Sequence, residues 1–334
     1  MTEILIHIGY PKTATTTIED GLLVGLHNKG LINYLGRSDF TRNRYFRQSA
    51  LIRDYLYLGH HLRDDDIVIK PELLNVLSDD NFTHPGPYKE RSLNIKVDPY
   101  SFPEKLAKYF CDKAEKIRIL VTLRSQQTLI YSQYVQNYYL FIDDIENNTP
   151  SKHIFNNQGY LKKDMFLIYN FSDVLEKYAE YFGVKNIHLL LFEDLINCKH
   201  SFVKELSDIL NADESLAFNL LTDVHYRERK KSDNGYFVSV MNRNLPGNLL
   251  LMLKNGNLTN RMYKFILKSF RKNKKTTSAI INIMHKMNLR KSQLIPKLTE
   301  DQKEIIFNEF KASNLKLSAV FNVSKDKLER YGYI

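Results

Sequence analysis

Cysteine is scarce in this chain of 334 residues, where Cys111 and Cys198 are the only two. Two cysteines form neither a disulfide framework nor a cysteine-based metal centre, so we expect a reducing, intracellular setting and no metal ion. Long apolar runs are missing too, since no stretch of about 18 apolar residues occurs that could span a membrane. The chain enters an apolar strand almost at once, without the regions of a signal peptide, and we therefore expect a cytoplasmic protein.

Acidic residues are nearly missing from one long segment. The chain has a formal charge of +10, and residues 227–297 contain 17 Lys and Arg but only two acids. Such a segment is a solvated basic face, or it binds an anionic acceptor, a membrane or nucleic acid. At helical spacing, four of its apolar residues share one face while lysines lie off it, which is typical of an interfacial helix. These four are Met262, Phe265, Ile266 and Phe270.

From this pattern we expect peripheral contact with an anionic membrane, at its inner face, and no nucleic-acid partner. Packing of the same apolar face against the protein's own core is the alternative.

The N-terminal stretch predicts a strand, a tight loop and a helix. Residues 4–8 are mostly apolar and β-branched, Gly9 and Pro11 break the run, and a Thr-rich segment opens a helix with apolar residues at helical spacing from Ile18. Backbone N–H groups at the start of a helix carry partial positive charge. Together with Lys12 and several hydroxyls they would form a cradle for phosphate or sulfate.

The order of residues in this loop differs from that of nucleotide triphosphate loops, in which the Lys closes the loop. Here Lys12 comes three residues after Gly9 and the threonines follow. The loop resembles the 5′-phosphosulfate loop of sulfotransferases that use 3′-phosphoadenosine 5′-phosphosulfate (PAPS), with the pattern Y-P-K-[ST]-G-T-T. Ala14 stands at the usual Gly. The resemblance implies that 5′-phosphosulfate is held by Lys12, Thr13, Ala14, Thr15, Thr16 and Thr17.

Residues 67–69 are three consecutive β-branched residues and predict a buried parallel strand. Lys70 and Glu72 would then lie at its carboxyl end, where open α/β sheets bind their ligands. In sulfotransferases a Lys-x-His or a Glu follows the equivalent strand and supplies the base, and the resemblance implies catalytic roles for Glu72 and Lys70. Glu72 as a first-turn helix residue after Pro71 is an equally good interpretation.

A third predicted strand, residues 117–123, ends at Arg124, and Ser132 follows eight residues later. A guanidinium at a strand end and a hydroxyl two helical turns away can bind the same phosphate. The pair resembles the 3′-phosphate site of the family. A basic stretch further along resembles, more loosely, the loop that the family closes over the nucleotide. It implies three further candidates for the 3′-phosphate and adenine: Arg229, Lys230 and Ser232.

These patterns together predict a three-layer, P-loop-like α/β fold, with a central parallel sheet flanked by helices. Its strands would end near Ile8, Ile69, Leu123 and Phe192. After Phe192 come Glu193 and Asp194, for which we expect helix capping and loop anchoring. We interpret residues 1–334 as one domain with a basic helical insertion at about 236–297.

The predicted function is transfer of a sulfuryl group from PAPS to a hydroxyl or amine of an acceptor. The product left from the donor is 3′-phosphoadenosine 5′-phosphate (PAP). We expect a glycan or lipid-linked glycan. Two other functions remain open. A nucleotide-dependent kinase would need an acid for magnesium, for which Asp194 is the candidate, and a non-enzymatic anion-binding module would bind without turnover.

Overall fold

The protein is described from a computed structural model. The described residues are 1–36, 48–63, 65–83, 97–137, 149–162, 166–222, 231–232, 235–241 and 290–334. The chain divides into two compact units. The first comprises Met1–Gln133, Ile154–Arg227 and Thr299–Ile334, and the second Tyr134–His153 and Glu228–Leu298.

A parallel sheet of five strands forms the centre of the first unit, with the strand order β2-β3-β1-β4-β5. The strands are β1 (Glu3–His7), β2 (Ile32–Tyr34), β3 (Leu74–Ser78), β4 (Lys116–Leu123) and β5 (Ile187–Leu191). All four strand pairs run parallel, so their carboxyl ends meet at one edge. The predicted three-layer α/β fold with a central parallel sheet is confirmed.

Helices flank this sheet. After β1 the chain forms one helix in three parts, α1 (Thr15–Thr17), a π-helical part (Ile18–Leu23) and α2 (Val24–Asn28). The later helices are α3 (Gln48–Leu58), α4 (Phe102–Phe110), α5 (Gln126–Asn137), α6 (Pro150–Ile154), α7 (Phe171–Phe182), α8 (Phe192–Asn197), α9 (Lys199–Leu210), α10 (Glu214–Thr222), α11 (Glu300–Phe321) and α12 (Lys325–Arg330). Within the described residues, no helix is long and apolar enough to cross a lipid bilayer.

One core cluster shows how the layers are joined. Leu5, Val76 and Leu120, from three neighbouring strands, are fully buried against apolar residues of the first helix and of α9, such as Leu22 and Phe202. Strands buried on both faces need continuous apolar sequence, which explains why β1, β4 and β5 are recognisable as apolar runs.

The prediction of a strand at residues 67–69 is wrong. The strand of this region is β3, five residues further along, and it pairs with both β1 and β2. Ile67 is buried, but Val68 is 57% exposed, so the β-branched run lies in a surface loop. Lys70 and Glu72 therefore precede the amino end of β3 instead of following the carboxyl end of a strand.

A buried asparagine accounts for this arrangement. Asn75, in β3, accepts hydrogen bonds from the Lys70 backbone N–H (2.8 Å) and the Asn33 side chain (2.7 Å). Its own amide donates to the carbonyls of Glu3, Lys70 and Leu73 at 3.0–3.1 Å. A buried amide is tolerated when its donors and acceptors are paired. This polar residue folds the preceding loop against the amino end of the sheet.

The second unit contains a small antiparallel sheet of β6 (Lys231–Ser232), β7 (Gly235–Met241) and β8 (Arg290–Pro296). β7 pairs with β8 from Gly235 opposite Pro296 to Met241 opposite Arg290. The basic insertion predicted at about 236–297 thus begins and ends in paired strands. The predicted interfacial helix within it lies outside the described residues, and the single-domain interpretation stays a prediction.

Candidate functional site

The loop between β1 and the first helix has an unusual backbone. Gly9, Lys12 and Ala14 have φ angles of 71°, 72° and 67°. Residues that alternate between right- and left-handed conformations turn successive N–H groups toward one concave side, which binds anions. For Lys12 and Ala14 this conformation costs about 1–2 kcal/mol each, and such strain is typical of functional sites. Ala14, which stands at the usual Gly of the pattern, thus adopts a left-handed conformation that favours Gly.

Two of the predicted threonines brace the loop from inside. The hydroxyls of Thr13 and Thr15 are buried, and both donate to the carbonyl of Tyr10, at 2.5 and 3.2 Å. Thr16 is exposed and Thr17 is partly exposed in the first turn of the helix, where the first backbone N–H groups lack partners within the helix, although the Thr17 N–H donates to the Ala14 carbonyl (2.9 Å). The site therefore offers backbone N–H groups and the later hydroxyls, whereas Thr13 and Thr15 hold its shape.

The loop is anchored on two further sides. Tyr10 is fully buried, donates its hydroxyl hydrogen to the carbonyl of Ile168 (2.9 Å), and lies against the ring of Phe171. The side-chain amide of Gln133, on α5, donates to the carbonyl of Pro11 (3.1 Å). Sequence reasoning missed Gln133. Its only signal was its position beside Ser132 on the helix that follows Arg124.

Arg124 lies at the carboxyl end of β4 and contacts this loop directly. Its Nη1 donates to the carbonyl of Lys12 (3.0 Å), and its Nε donates to the Thr128 hydroxyl (3.0 Å). The guanidinium lies 4.5 Å from the centre of the Phe192 ring. One side chain thus joins the ends of β4 and β5 to the loop of residues 9–14.

Ser132 follows Arg124 along α5. Thr128, which contacts Arg124, is four residues before Ser132 on the same helix. Residues four apart occupy one helix face, so Ser132 lies on the side of α5 that Arg124 approaches. Its side chain is partly exposed. This arrangement is compatible with the predicted Arg and Ser pair around one phosphate.

An aspartate that the sequence analysis did not select lies against the loop. A Cβ atom built on Gly9 would be 2.8 Å from the Cα of Asp80, so the two backbones are in close contact. Asp79, before it, is buried and paired with Arg53 at 3.2 Å. Asp80 is partly exposed, and its carboxylate accepts from the side chain of Asn81. The carboxyl end of β3 thus carries an accessible acid beside the loop of residues 9–14.

A buried polar network lies beneath these residues. His7 contacts the Ser78 hydroxyl through Nδ1 (2.9 Å) and the Thr122 hydroxyl through Nε2 (3.2 Å), and Ser78 donates to Glu19 (2.7 Å). Burial lowers the pKa of His7 to about 4, so the ring is neutral near pH 7. Burial also raises the pKa of Glu19 well above its usual range, although the bond from Ser78 opposes this. The signal of this network in the sequence was His7, a histidine inside an apolar strand.

The network connects the parts of the site. His7 ends β1 and leads to Gly9, Ser78 ends β3 and leads to Asp80, and Thr122 precedes Arg124 by two residues. Hydrogen bonds between these buried side chains therefore fix the three strand ends relative to each other and to the first helix.

The structure overturns the catalytic location expected for Lys70 and Glu72. Both side chains are exposed at the amino edge of the sheet, where β3 begins. The loop of residues 9–14 follows the carboxyl edge, and a five-residue strand spans about 16 Å. Neither side chain can therefore act at the loop.

Glu193 and Asp194 lie in the first turn of α8, directly after β5. Glu193 accepts from the Ser125 backbone N–H (3.0 Å) and from the Tyr333 hydroxyl (3.0 Å). Asp194 is buried and binds the Lys327 ammonium (2.8 Å) and the Tyr331 hydroxyl (2.7 Å). The expected anchoring role of this acid pair is confirmed, whereas the expected capping is not, because Leu191 is the N-cap residue of α8 and no side chain caps it.

The remaining predicted residues are in the second unit or outside the described part of the chain. Ser232 belongs to β6. Arg229 and Lys230 lie outside the described residues, and contact of all three with a nucleotide stays a prediction.

Comparison with known proteins found similarity among solved structures, with 19 matching chains. No family model and no curated protein matches the chain. A crystal structure of a sulfotransferase from Alicyclobacillus acidocaldarius is similar over 98% of both chains, with a TM-score of 0.42 and 11% sequence identity. Similarity at this level carries no argument about the activity of the present chain.

Proposed function

We propose that this protein is a sulfotransferase that moves a sulfuryl group from PAPS to a hydroxyl or amine of a glycan or lipid-linked glycan. The observation that carries the proposal is the left-handed backbone at Gly9, Lys12 and Ala14, in a loop that Arg124 holds through the Lys12 carbonyl. Its convergent N–H groups, one ammonium and an adjacent guanidinium suit a donor with two separate anionic groups. PAPS supplies the activated sulfuryl group, and PAP is the product.

The loop would hold the 5′-phosphosulfate. Backbone N–H groups of residues 12–16 and the hydroxyls of Thr16 and Thr17 would face the anion, while Thr13 and Thr15 keep the loop in shape. The Lys12 ammonium would stabilise negative charge that grows on the leaving phosphate oxygen. Preorganised donors of this kind typically contribute about 10²- to 10³-fold to kcat each.

Arg124 and Ser132 would bind the 3′-phosphate. Arg124 is positioned by Thr128, the Lys12 carbonyl and the Phe192 ring, so its charge is held beside the loop. A charge-assisted bond from this guanidinium would distinguish a 3′-phosphate from a free hydroxyl. We retain Arg229, Lys230 and Ser232 as candidates for the same phosphate and for adenine.

Asp80 replaces Glu72 as the proposed base. It is the partly exposed acid at the carboxyl end of β3, and its backbone touches Gly9. There it would accept the proton of the acceptor hydroxyl or amine while that atom attacks the sulfur. A positioned base contributes about 10²- to 10⁴-fold.

The assignment of the base is tested with two matched isosteric variants. Asp80→Asn should lower the transfer rate about 10²- to 10⁴-fold and leave donor affinity nearly unchanged. Glu72→Gln, at the opposite sheet edge, should keep the wild-type rate. The reverse result would return the base to Glu72.

The function itself is tested by incubating the full chain with PAPS and candidate glycans and measuring the mass gain of one sulfuryl group. Lys12→Ala is the negative control. Binding of PAPS without transfer to any acceptor would favour an anion-binding module. A magnesium-dependent transfer from a nucleoside triphosphate would favour a kinase, although Asp194 is already bound by Lys327 and Tyr331.

The acceptor and the location in the cell rest on the sequence alone. The basic insertion is proposed to bring the enzyme to an anionic membrane or glycan from the cytoplasmic side.

A further inference from the structure

The last residues of the chain are folded into the first unit beside the sheet edge. Tyr333 is fully buried, and its hydroxyl donates to Glu193 at 3.0 Å. Its backbone carbonyl accepts from the side chain of Asn314, on α11, at 2.9 Å. Asn314 also exchanges two hydrogen bonds with the side chain of Gln126, of 2.9 and 3.0 Å. The C-terminal end is thus bonded directly to α8 and, through Asn314, to α5 by buried polar groups.

These bonds converge on the three residues that follow β4. Glu193 holds the backbone N–H of Ser125, and Asn314 holds the side chain of Gln126. The Arg124 guanidinium lies over Phe192, the residue before Glu193. We call residues 124–126 the Arg124 corner. Two of its partners, Glu193 and Asn314, are in contact with Tyr333.

The carboxylate of Glu193 connects Tyr333 with the Arg124 corner. One carboxylate oxygen accepts from Ser125 and the other from Tyr333, so both oxygens are used. Burial raises the pKa of Glu193, while the bonds from Ser125 and Tyr333 and the nearby Arg124 charge oppose that rise. Removing the Tyr333 hydroxyl would weaken the support of the carboxylate that positions the Arg124 corner.

We propose that Tyr333 is a positioning residue for the anion site, which acts through Glu193 on the Arg124 corner and thereby sets the preference for a 3′-phosphate. The proposal rests on the proposed function, because it assigns the 3′-phosphate to Arg124. Tyr333 touches no reacting group. Its effect is transmitted by the hydrogen bond from Tyr333 to Glu193, by that from Ser125 to Glu193, and by the peptide bond between Arg124 and Ser125.

The chain provides its own control, two residues earlier. Tyr331 also donates to a carboxylate of α8, that of Asp194, at 2.7 Å. The other described partner of Asp194 is Lys327, on α12, so this pair leads back into the C-terminal segment and not to the Arg124 corner. Tyr331→Phe and Tyr333→Phe remove the same group from neighbouring sites.

The experiment compares PAP with adenosine 5′-phosphate, which lacks the 3′-phosphate, by calorimetry on full-length protein. The quantity measured is the Kd of adenosine 5′-phosphate divided by the Kd of PAP. In Tyr333→Phe this ratio should fall about 2- to 30-fold toward one, as expected for residues that modulate a site through a contact network. In Tyr331→Phe the ratio should equal that of the wild type.

A second variant tests whether Glu193 transmits the effect. A glutamine carries an NH2 group in place of one carboxylate oxygen, so Glu193→Gln removes the charge and one of the two acceptor oxygens that Ser125 and Tyr333 use. This variant should lower the ratio as well, and the double variant with Tyr333→Phe should lower it no further. Additive losses would show that Tyr333 does not act through Glu193 and would overturn the proposal. If Tyr333→Phe does not fold, an unchanged ratio in Glu193→Gln overturns it equally.

The outcomes separate this inference from the proposed function. A wild-type protein that binds both nucleotides equally contradicts the sulfate-donor site itself. A wild-type protein that prefers PAP, with the same preference in Tyr333→Phe, leaves the function intact and refutes the role of Tyr333.

Discussion

Gly9→Ala is the change that most directly tests the geometry of the site. Gly9 combines a φ of 71° with a close approach to the segment after β3, where its added Cβ would lie 2.8 Å from the Cα of Asp80. The atom it meets belongs to the backbone, so no side-chain rotation can relieve the contact. The variant must therefore separate the phosphate loop from the proposed base or accept a strained contact.

The magnitude follows from two contributions. An alanine in the left-handed region costs about 1–2 kcal/mol. Forcing an extra methyl group into a packed site costs about 1–3 kcal/mol more. We therefore expect Gly9→Ala to lower the free energy of unfolding by about 2–5 kcal/mol.

Gly30 provides a matched control because its φ is 72°, with no heavy atom within 4 Å of an added Cβ. Gly30→Ala should cost only the backbone contribution, about 1–2 kcal/mol. Both variants reduce the entropy of the unfolded chain equally, so this effect cancels in the comparison. The difference between them isolates the contact of Gly9 with Asp80.

Urea titrations of the two variants and the wild type measure these free energies, and PAP binding and the transfer rate are measured under folding conditions. Gly9→Ala should lose transfer activity at temperatures where it remains folded, whereas Gly30→Ala should retain it. Equal destabilisation by both variants would refute the close packing of the loop against Asp80.

Three further changes test other parts of the site. Lys12→Ala should lower kcat about 10²- to 10³-fold with a much smaller change in PAPS affinity, because the ammonium acts on charge that develops during transfer; steady-state kinetics with an unchanged kcat would contradict the loop assignment. Arg124→Ala should weaken PAP binding more than Ser132→Ala does, since a bond to a charged group is worth about 1.5–3 kcal/mol, and calorimetry with equal losses for adenosine 5′-phosphate would argue against 3′-phosphate recognition. Glu19→Gln should gain stability relative to the wild type as the pH rises above about 4.5, by up to about 1.4 kcal/mol per pH unit, because folded Glu19 keeps a proton that the unfolded chain releases. A difference in unfolding free energy that does not vary with pH would refute a protonated Glu19.

The sequence was informative wherever one short segment contains its own evidence. β1, β4 and β5 are mostly apolar runs, as parallel strands buried on both faces require, and the carboxyl ends of all three were predicted within one residue. The loop at Lys12 and the arginine after β4 follow directly from these strands. Their adjacency followed from the rule that parallel strands bring their carboxyl ends to one edge.

Tertiary structure decided what depended on partners distant in the sequence. β3 contains the polar residues Asn75 and Ser78, and it is a strand because Asn75 bonds to four other residues and Ser78 to His7 and Glu19. No local pattern reveals such pairings. The β-branched residues 67–69 were therefore the stronger strand signal although they lie in a loop.

The same distinction separates the proposed base and the C-terminal contact from the rest of the site. Asp80 acquires its position when β3 pairs with β1, and Tyr333 reaches Glu193 across 140 residues of sequence. The sequence by itself determined the fold class and the residue types in the phosphate loop, because both depend on local apolar pattern and backbone conformation. Which acid stands beside that loop, and what supports Arg124, was decided only by tertiary packing, because a buried polar group is stable only where the folded chain brings its partner.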